Sequence, residues 1–326
     1  MIARDIARGA GLGIALGCAM VLTAGPGPAR AASDTVGVAA QTPATEAAPD
    51  FSGLQRLLDE FLVAISPPGA PLETAFQYDQ LFVQLDRRER LGSIRRQLLA
   101  VPPSRMDDAT RKAWAINTYN FVVIETVTEH LYVGARPING EAARIFVRRK
   151  NASVQEIRMP EGRFFDAALL EIEGVKYSLN RFERHFLFGD FDAASKDPPP
   201  SRLDPRFHFA LVSAARSSPP LLPRAYRPDS LEAQLDSAVR NFLASPRNLR
   251  WNEERGVLMG TSLFSWYAAD FGGSAGVISF VRRCAPPSIL ELIESRKIPW
   301  VSAFFPWDWS LNQPPQGPQR APGRSG

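Results

Sequence analysis

Apolar residues recur at helical spacing through Leu54, Leu57, Leu58, Phe61, Leu62 and Ile65, which predicts a first helix. A second is predicted over 91–99. The third is the longest, because Ala113, Ile116, Asn117, Asn120, Ile124, Val127 and Leu131 share one face of a helix expected from about residue 107 to 130. Beyond it the apolar runs shorten. Residues 143–147, 171–176 and 207–212 read as strands, and the last is apolar almost throughout, as in a strand buried on both faces. Asp229 followed by Glu232 has capping-box spacing and opens a helix through Leu235, Val239 and Phe242. Trp251 and Val257 flank an expected hairpin. Helices follow over 262–271, 276–283 and 287–297, then a late strand near 301–305. Helices with a few non-sequential strands predict an α+β class: a single helix-rich domain around a small mixed β-sheet.

The two ends depart from this pattern. Arg4 and Arg8 precede an apolar run from Gly9 to about Ala24, which ends at Ala29-Arg30-Ala31. That is the order of a signal peptide over 1–31, cleaved after Ala31. A retained N-terminal anchor and lipidation at Cys18 are the alternatives. Residues 32–50 are small, polar and Ala/Pro-rich, so a disordered linker is expected there. The globular domain then spans 51–312, and the Pro/Gly/Arg-rich 313–326 form a disordered tail. No interior apolar run is long enough to cross a bilayer, so no membrane span is expected after cleavage. The expected location is the periplasm or the medium.

Composition narrows the chemistry. Without the leader, 35 basic residues face 33 acidic ones, too even a balance for a nucleic-acid-binding surface. Of the two cysteines, Cys18 lies in the leader, which leaves Cys284 with no partner for an internal disulfide or a cysteine-based zinc site. His130, His185 and His208 lack metal-ligand spacing. Phosphate-loop, dinucleotide and G-x-S-x-G motifs are absent. Neither a metal nor a cofactor is expected.

Five segments, in order, resemble the DUF547 family over roughly 51–312. They are Trp114-Ala115-Ile116-Asn117-Thr118-Tyr119-Asn120, Tyr177-Ser178-Leu179-Asn180-Arg181-Phe182-Glu183, and Asp204-Pro205-Arg206-Phe207-His208-Phe209-Ala210-Leu211-Val212. The stretch from Ser265-Trp266-Tyr267 to Asp270-Phe271 and the terminal Trp309-Ser310-Leu311-Asn312 complete the set. The family looks like a distant relative of papain- or transglutaminase-like hydrolases, which implies a fold of that kind. The departures concern its chemistry. The family's strand runs into valine-cysteine and then serine-cysteine-proline-proline-leucine. Here both cysteine positions are serine, at Ser213 and Ser218, and the family's histidine after the glutamate is Arg184. His185 is adjacent, but one helical residue turns a side chain by about 100°.

A thiol is intrinsically nucleophilic, whereas a serine hydroxyl needs a positioned base. The candidate catalytic residues are Ser213, Glu183 and His208. On an extended strand, five residues would put His208 and Ser213 on opposite faces and roughly 16 Å apart. Glu183 follows Leu179 and Phe182 on a predicted helix capped by Ser178, as a half-buried carboxyl of the general-base kind would. The candidate binding residues are Asn117, Asn120, His185, Ser217, Ser218 and Tyr226, although for the two asparagines a structural hydrogen-bond network that pins nearby loops is the favoured reading over an amide-lined pocket. The leading expectation is a degenerate, non-catalytic hydrolase-like domain that binds a peptide, a cell-wall fragment or a partner protein. The alternatives are a serine-based amidase, peptidase or acyltransferase using Ser213, and an envelope scaffold.

Overall fold

The structure is a computed structural model that describes residues 48–130, 132–134, 147–149, 152–160, 162–189 and 204–314. The expected signal peptide, nearly all of the linker and tail, and most of the expected 143–147 strand lie outside the described residues.

The architecture is built around α4 (Asp108–His130). Asp107 opens it by accepting a hydrogen bond from the Thr110 amide at 2.6 Å. Its sequence predicts one apolar face, yet every residue from Ala113 to Ile124 is buried. A helix covered on all sides needs neighbours all round. α2 (Tyr78–Phe82), α3 (Arg87–Leu99) and α5 (Leu179–Phe186) pack on it, and α1 (Ser52–Phe61) packs on α2 and α3. Trp114 joins α3 and α5. Its Nε1 donates to the Leu98 carbonyl at the end of α3 at 2.6 Å, and its ring packs on Phe182 and Phe186 of α5, 5.5 and 5.1 Å between centroids. Arg87 and Arg95 of α3 pair with Glu129 and Glu125 of α4 along the rim.

α5 forms because Ser178 accepts the Arg181 amide as its cap, and because Leu179, Phe182, Glu183 and Phe186 fall on one stripe. That stripe is buried, so Glu183 enters the core with its apolar neighbours. Ahead of α5, β7 (Leu170–Ile172) and β8 (Val175–Tyr177) form a hairpin. Its turn residues Glu173 and Gly174 both have positive φ, the geometry that matches strand twist.

The second half is built on α6 (Leu231–Ala244), α8 (Gly273–Cys284) and a three-stranded mixed sheet. In that sheet β9 (Leu249–Asn252) pairs antiparallel with β10 (Val257–Gly260), and β11 (Ala303–Phe304) runs parallel to β10. Between β10 and α8 come α7 (Leu263–Trp266) and a 3-10 turn, Ala268–Phe271, closed by Gly272 at φ 86°. α9 (Pro287–Ser295) follows α8. The remaining pairs are short hairpins and two-stranded ladders, which agrees with the α+β class.

The 207–212 segment is not the strand its apolar run predicts. Pro205–Phe209 is a 3-10 turn, and the backbone continues irregularly through Val212. The physical reason lies in its start and in its partners. Pro205 fixes φ at the first position, and Asp204 accepts the Arg206 amide at 3.0 Å. Arg206 then anchors the turn to α6 through Asp236 at 2.7 Å and Glu232. The 3-10 turn splits its side chains between two clusters: Phe209 stacks on Phe280 of α8 at 5.5 Å, whereas His208 faces α5's end. The expected capping box also differs. Ser230 holds the cap position of α6 without a side-chain bond to the helix backbone, and Asp229 accepts the Ser230 hydroxyl instead.

Trp114 links α3, α4 and α5, so Trp114→Ala should cost roughly 3–5 kcal/mol of unfolding free energy in urea. A loss below about 1 kcal/mol would place the centre of the core elsewhere.

Candidate functional site

Two asparagines of α4 meet the loop backbone of the 204–226 segment. Asn117 donates to the Tyr226 carbonyl at 2.8 Å and accepts the Tyr226 amide at 2.9 Å. Asn120 donates to the Ala210 carbonyl at 3.0 Å and accepts the Val212 amide at 3.0 Å. Each amide side chain therefore substitutes for a strand partner and satisfies two buried backbone groups. Both residues also border a narrow cleft with Leu221 and Tyr226. Tyr226 itself is buried, and burial pushes its phenol up.

The clamp at Val212 fixes the entry to Ser213. The Ser213 side chain is buried, and its Oγ has no hydrogen-bond partner. Its amide donates to Ser218 Oγ at 2.9 Å. The next residue, Ala214, holds φ at 55°, a left-handed conformation that a β-carbon disfavours. Extended chain from 308 to 312 braces this turn. Asn312 donates to the Ala214 carbonyl, the Arg216 amide to Ser310, and the Asp308 amide to Ser217 Oγ at 2.9 Å. Ser217 thus serves as a brace, and Ser218 as the acceptor that closes the turn.

His208 and Glu183 lie in a buried polar cluster. His208 Nε2 is 2.8 Å from Asp270 Oδ2, and the imidazole is sandwiched between Tyr267 at 3.8 Å and Phe188 at 4.8 Å. Burial pulls the imidazole below its ordinary range, although Asp270 opposes this. Burial also pushes Asp270 up, but the His208 bond and the Arg184 charge outweigh it and leave the carboxyl below the ordinary range. Arg184 reaches the other Asp270 oxygen at 3.4 Å. Glu183 is fully enclosed, and its Oε1 has no hydrogen-bond partner. Burial raises its carboxyl to about 7, with Arg184 opposing and Asp270 adding to the rise. Burial and the Glu183 charge push the phenols of Tyr119 and Tyr267 up as well. His185 lies on another side of α5, with its ring 5.3 Å from that of Tyr177.

The structure thus brings His208 together with Asp270, and not with Ser213. Neither a histidine nor a carboxylate lies within hydrogen-bond distance of Ser213 Oγ among the described residues. The Asp270 partnership was missed from sequence. The only signal was its place in the 265–271 segment, far along the chain from His208. Cys284 is half-buried, and burial pushes its thiol up, away from the reactive thiolate. Among the described residues, no group of three or more His, Cys, Asp or Glu is placed to hold a metal ion. No described helix is long and apolar enough to cross a membrane.

The buried carboxyl predicts a pH dependence. Folded Glu183 keeps its proton to about pH 7, whereas unfolded Glu183 loses it near 4.5. Between those values the folded state holds more protons, so this contribution to stability is lost as pH rises. His208 acts oppositely, because its folded imidazole holds fewer protons than the unfolded one. Glu183→Gln removes only the first effect. The unfolding free energy of the native chain, relative to that variant, should fall by roughly 3 kcal/mol between pH 4.5 and 8. A difference independent of pH would contradict an enclosed, unpaired carboxyl.

No curated protein and no solved structure matches the chain. Residues 103–243 match the model of DUF547, described as a protein of unknown function. The match takes in α4, α5 and the 213–218 turn and ends within α6, so Asp270 and the bracing 308–312 segment lie beyond it. Over residues 103–243, then, the chain is similar to the DUF547 family of proteins of unknown function.

Proposed function

We propose that this is an exported envelope protein whose domain is a non-catalytic, hydrolase-like module that binds a peptide, a cell-wall fragment or a partner protein. One observation carries the non-catalytic part: the buried Ser213 hydroxyl has no base within hydrogen-bond reach. An unassisted serine hydroxyl is a weak nucleophile at neutral pH. The residues that would assist are committed elsewhere, His208 to Asp270 between two aromatic rings, and Glu183 to an enclosed position facing Tyr119 and Tyr267. The resemblance to a family with cysteines at the Ser213 and Ser218 positions supports loss of a thiol-based reaction. The basic-then-apolar leader supports export, and the likeness to papain- or transglutaminase-like hydrolases belongs to this proposal.

A serine-based amidase, peptidase or acyltransferase is the second reading. It is favoured by the His208–Asp270 pair, which has the form of a base and its orienting carboxylate. A third, an envelope scaffold, needs no open cleft. A fluorophosphonate probe separates the first two. The intact chain should carry no adduct by mass spectrometry under conditions that fully label a control serine hydrolase. An adduct on the native chain that disappears in Ser213→Ala would establish the serine enzyme instead.

A further inference from the structure

A polar cleft lies on the far side of the turn that seals Ser213. Its walls come from the start of β2 (Thr74–Phe76) and the residues before it, from Arg216, Ser218 and Pro220, from the end of α6 and the residues after it, and from Asn312. The enclosed floor is narrow, about 40 Å³, and the rest of the concavity opens to solvent. That is room for one small polar group with its attached chain outside. Arg216, Arg247, Glu73, Ser218, Asn248 and Asn312 supply its polar groups.

The engaged and unengaged groups define the ligand. Arg247 is committed to Glu73 at 3.0 Å. Asn248 donates to the Phe242 carbonyl. The Arg216 guanidinium, in contrast, makes no side-chain hydrogen bond among the described residues, and its nearest carboxylate oxygen, on Asp308, is 3.9 Å from Nε. Asp308 Oδ1 is occupied by the Ser310 amide and hydroxyl. Burial pushes the Asp308 carboxyl up, but those bonds and the Arg216 and Arg247 charges hold it below the ordinary range. Ser218 is 7% exposed, and its oxygen accepts the Ser213 amide, which leaves its proton without an acceptor among the described residues. The Asn312 side-chain amide has no hydrogen bond there either.

We infer that this cleft binds a peptide carboxylate, with Arg216 forking its two oxygens and Ser218 and Asn312 bonding the group or its adjoining amide. This rests on the binding reading above and names its ligand class. A planar guanidinium with free donors matches a carboxylate in two parallel bonds. Charge selects a monoanion. Glu73 already pairs with Arg247 and Asp308 lies 3.9 Å from Arg216, so a phosphate dianion would meet two carboxylates, whereas a monoanion adds a single charge that Arg216 can share.

The test uses the intact chain with N-acetyl-Ala-Ala, its C-terminal amide and inorganic phosphate, followed by amide-resonance titration in NMR. The acid should bind and shift resonances around Arg216 and Ser218, and the amide should bind about tenfold more weakly or less. Arg216→Ala should weaken the acid about tenfold with an unchanged melting temperature, and Arg216→Lys, which keeps the charge but loses the fork, should fall between. Equal binding of acid and amide, tighter binding of phosphate, no binding of the acid, or an Arg216→Ala chain that folds and binds undiminished would each overturn the inference. Those results leave the non-catalytic reading standing if the fluorophosphonate still fails to label. Labelling at Ser213 with carboxylate selectivity intact would sink that reading alone.

Discussion

Two buried asparagines on one turn of α4 hold the region together. Asn117 and Asn120 each give and accept one hydrogen bond with loop backbone, so four main-chain groups that no strand pairs are satisfied from a helix. An unpaired buried backbone group costs of order 1–3 kcal/mol, comparable to a large part of a domain's net stability. The helix can offer these amides because it is itself enclosed on all sides. The irregular path of 210–213 can persist because its backbone is answered there. The strained Ala214 turn, the Ser213–Ser218 bond and the 308–312 brace all follow from where Val212 is pinned.

The same enclosure sets the electrostatics. α5 carries Glu183 on its apolar stripe, so a carboxyl enters the core without a partner for one oxygen, and the favourable state is the protonated one. Asp270 stays ionised in similar surroundings because His208 and Arg184 hold its two oxygens. Two carboxyls a short distance apart thus take opposite protonation preferences from their hydrogen bonds. In a working hydrolase such a division would assign an acid and a base. Among the described residues, neither group lies within hydrogen-bond reach of Ser213 Oγ.

Much of this was legible in the sequence. The spacing from Ala113 to Leu131 marked α4, Ser178 marked the start of α5, and the alternation of Leu179, Phe182 and Glu183 placed the carboxyl on a buried face. The 207–212 run was misread because a continuous apolar stretch does not distinguish a buried strand from a buried turn; the Asp204-Pro205 pair ahead of it was the stronger signal. Asn117 and Asn120 announced a need for partners but not which backbone would meet it. The Asp270 contact lay beyond reach because pairing across distant segments is decided by how α7 and α8 pack, and a lone histidine in the sequence carries no mark of its acceptor. Whether Ser213 is open or sealed depends in turn on residues 308–312, nearly a hundred positions later.

The central claim is that position 213 is closed and without a base, and thiol chemistry reads both properties at one atom. Ser213→Cys, in a chain with Cys18 and Cys284 replaced by serine, places a thiol there with little change in size. The decisive measurement is its alkylation rate by iodoacetamide as a function of pH. The account predicts alkylation orders of magnitude slower than that of a free thiol, limited by opening of the structure, with no thiolate populated below the ordinary cysteine range. Rapid alkylation with a thiolate pKa well below that range would show an exposed position beside a base, and would contradict it.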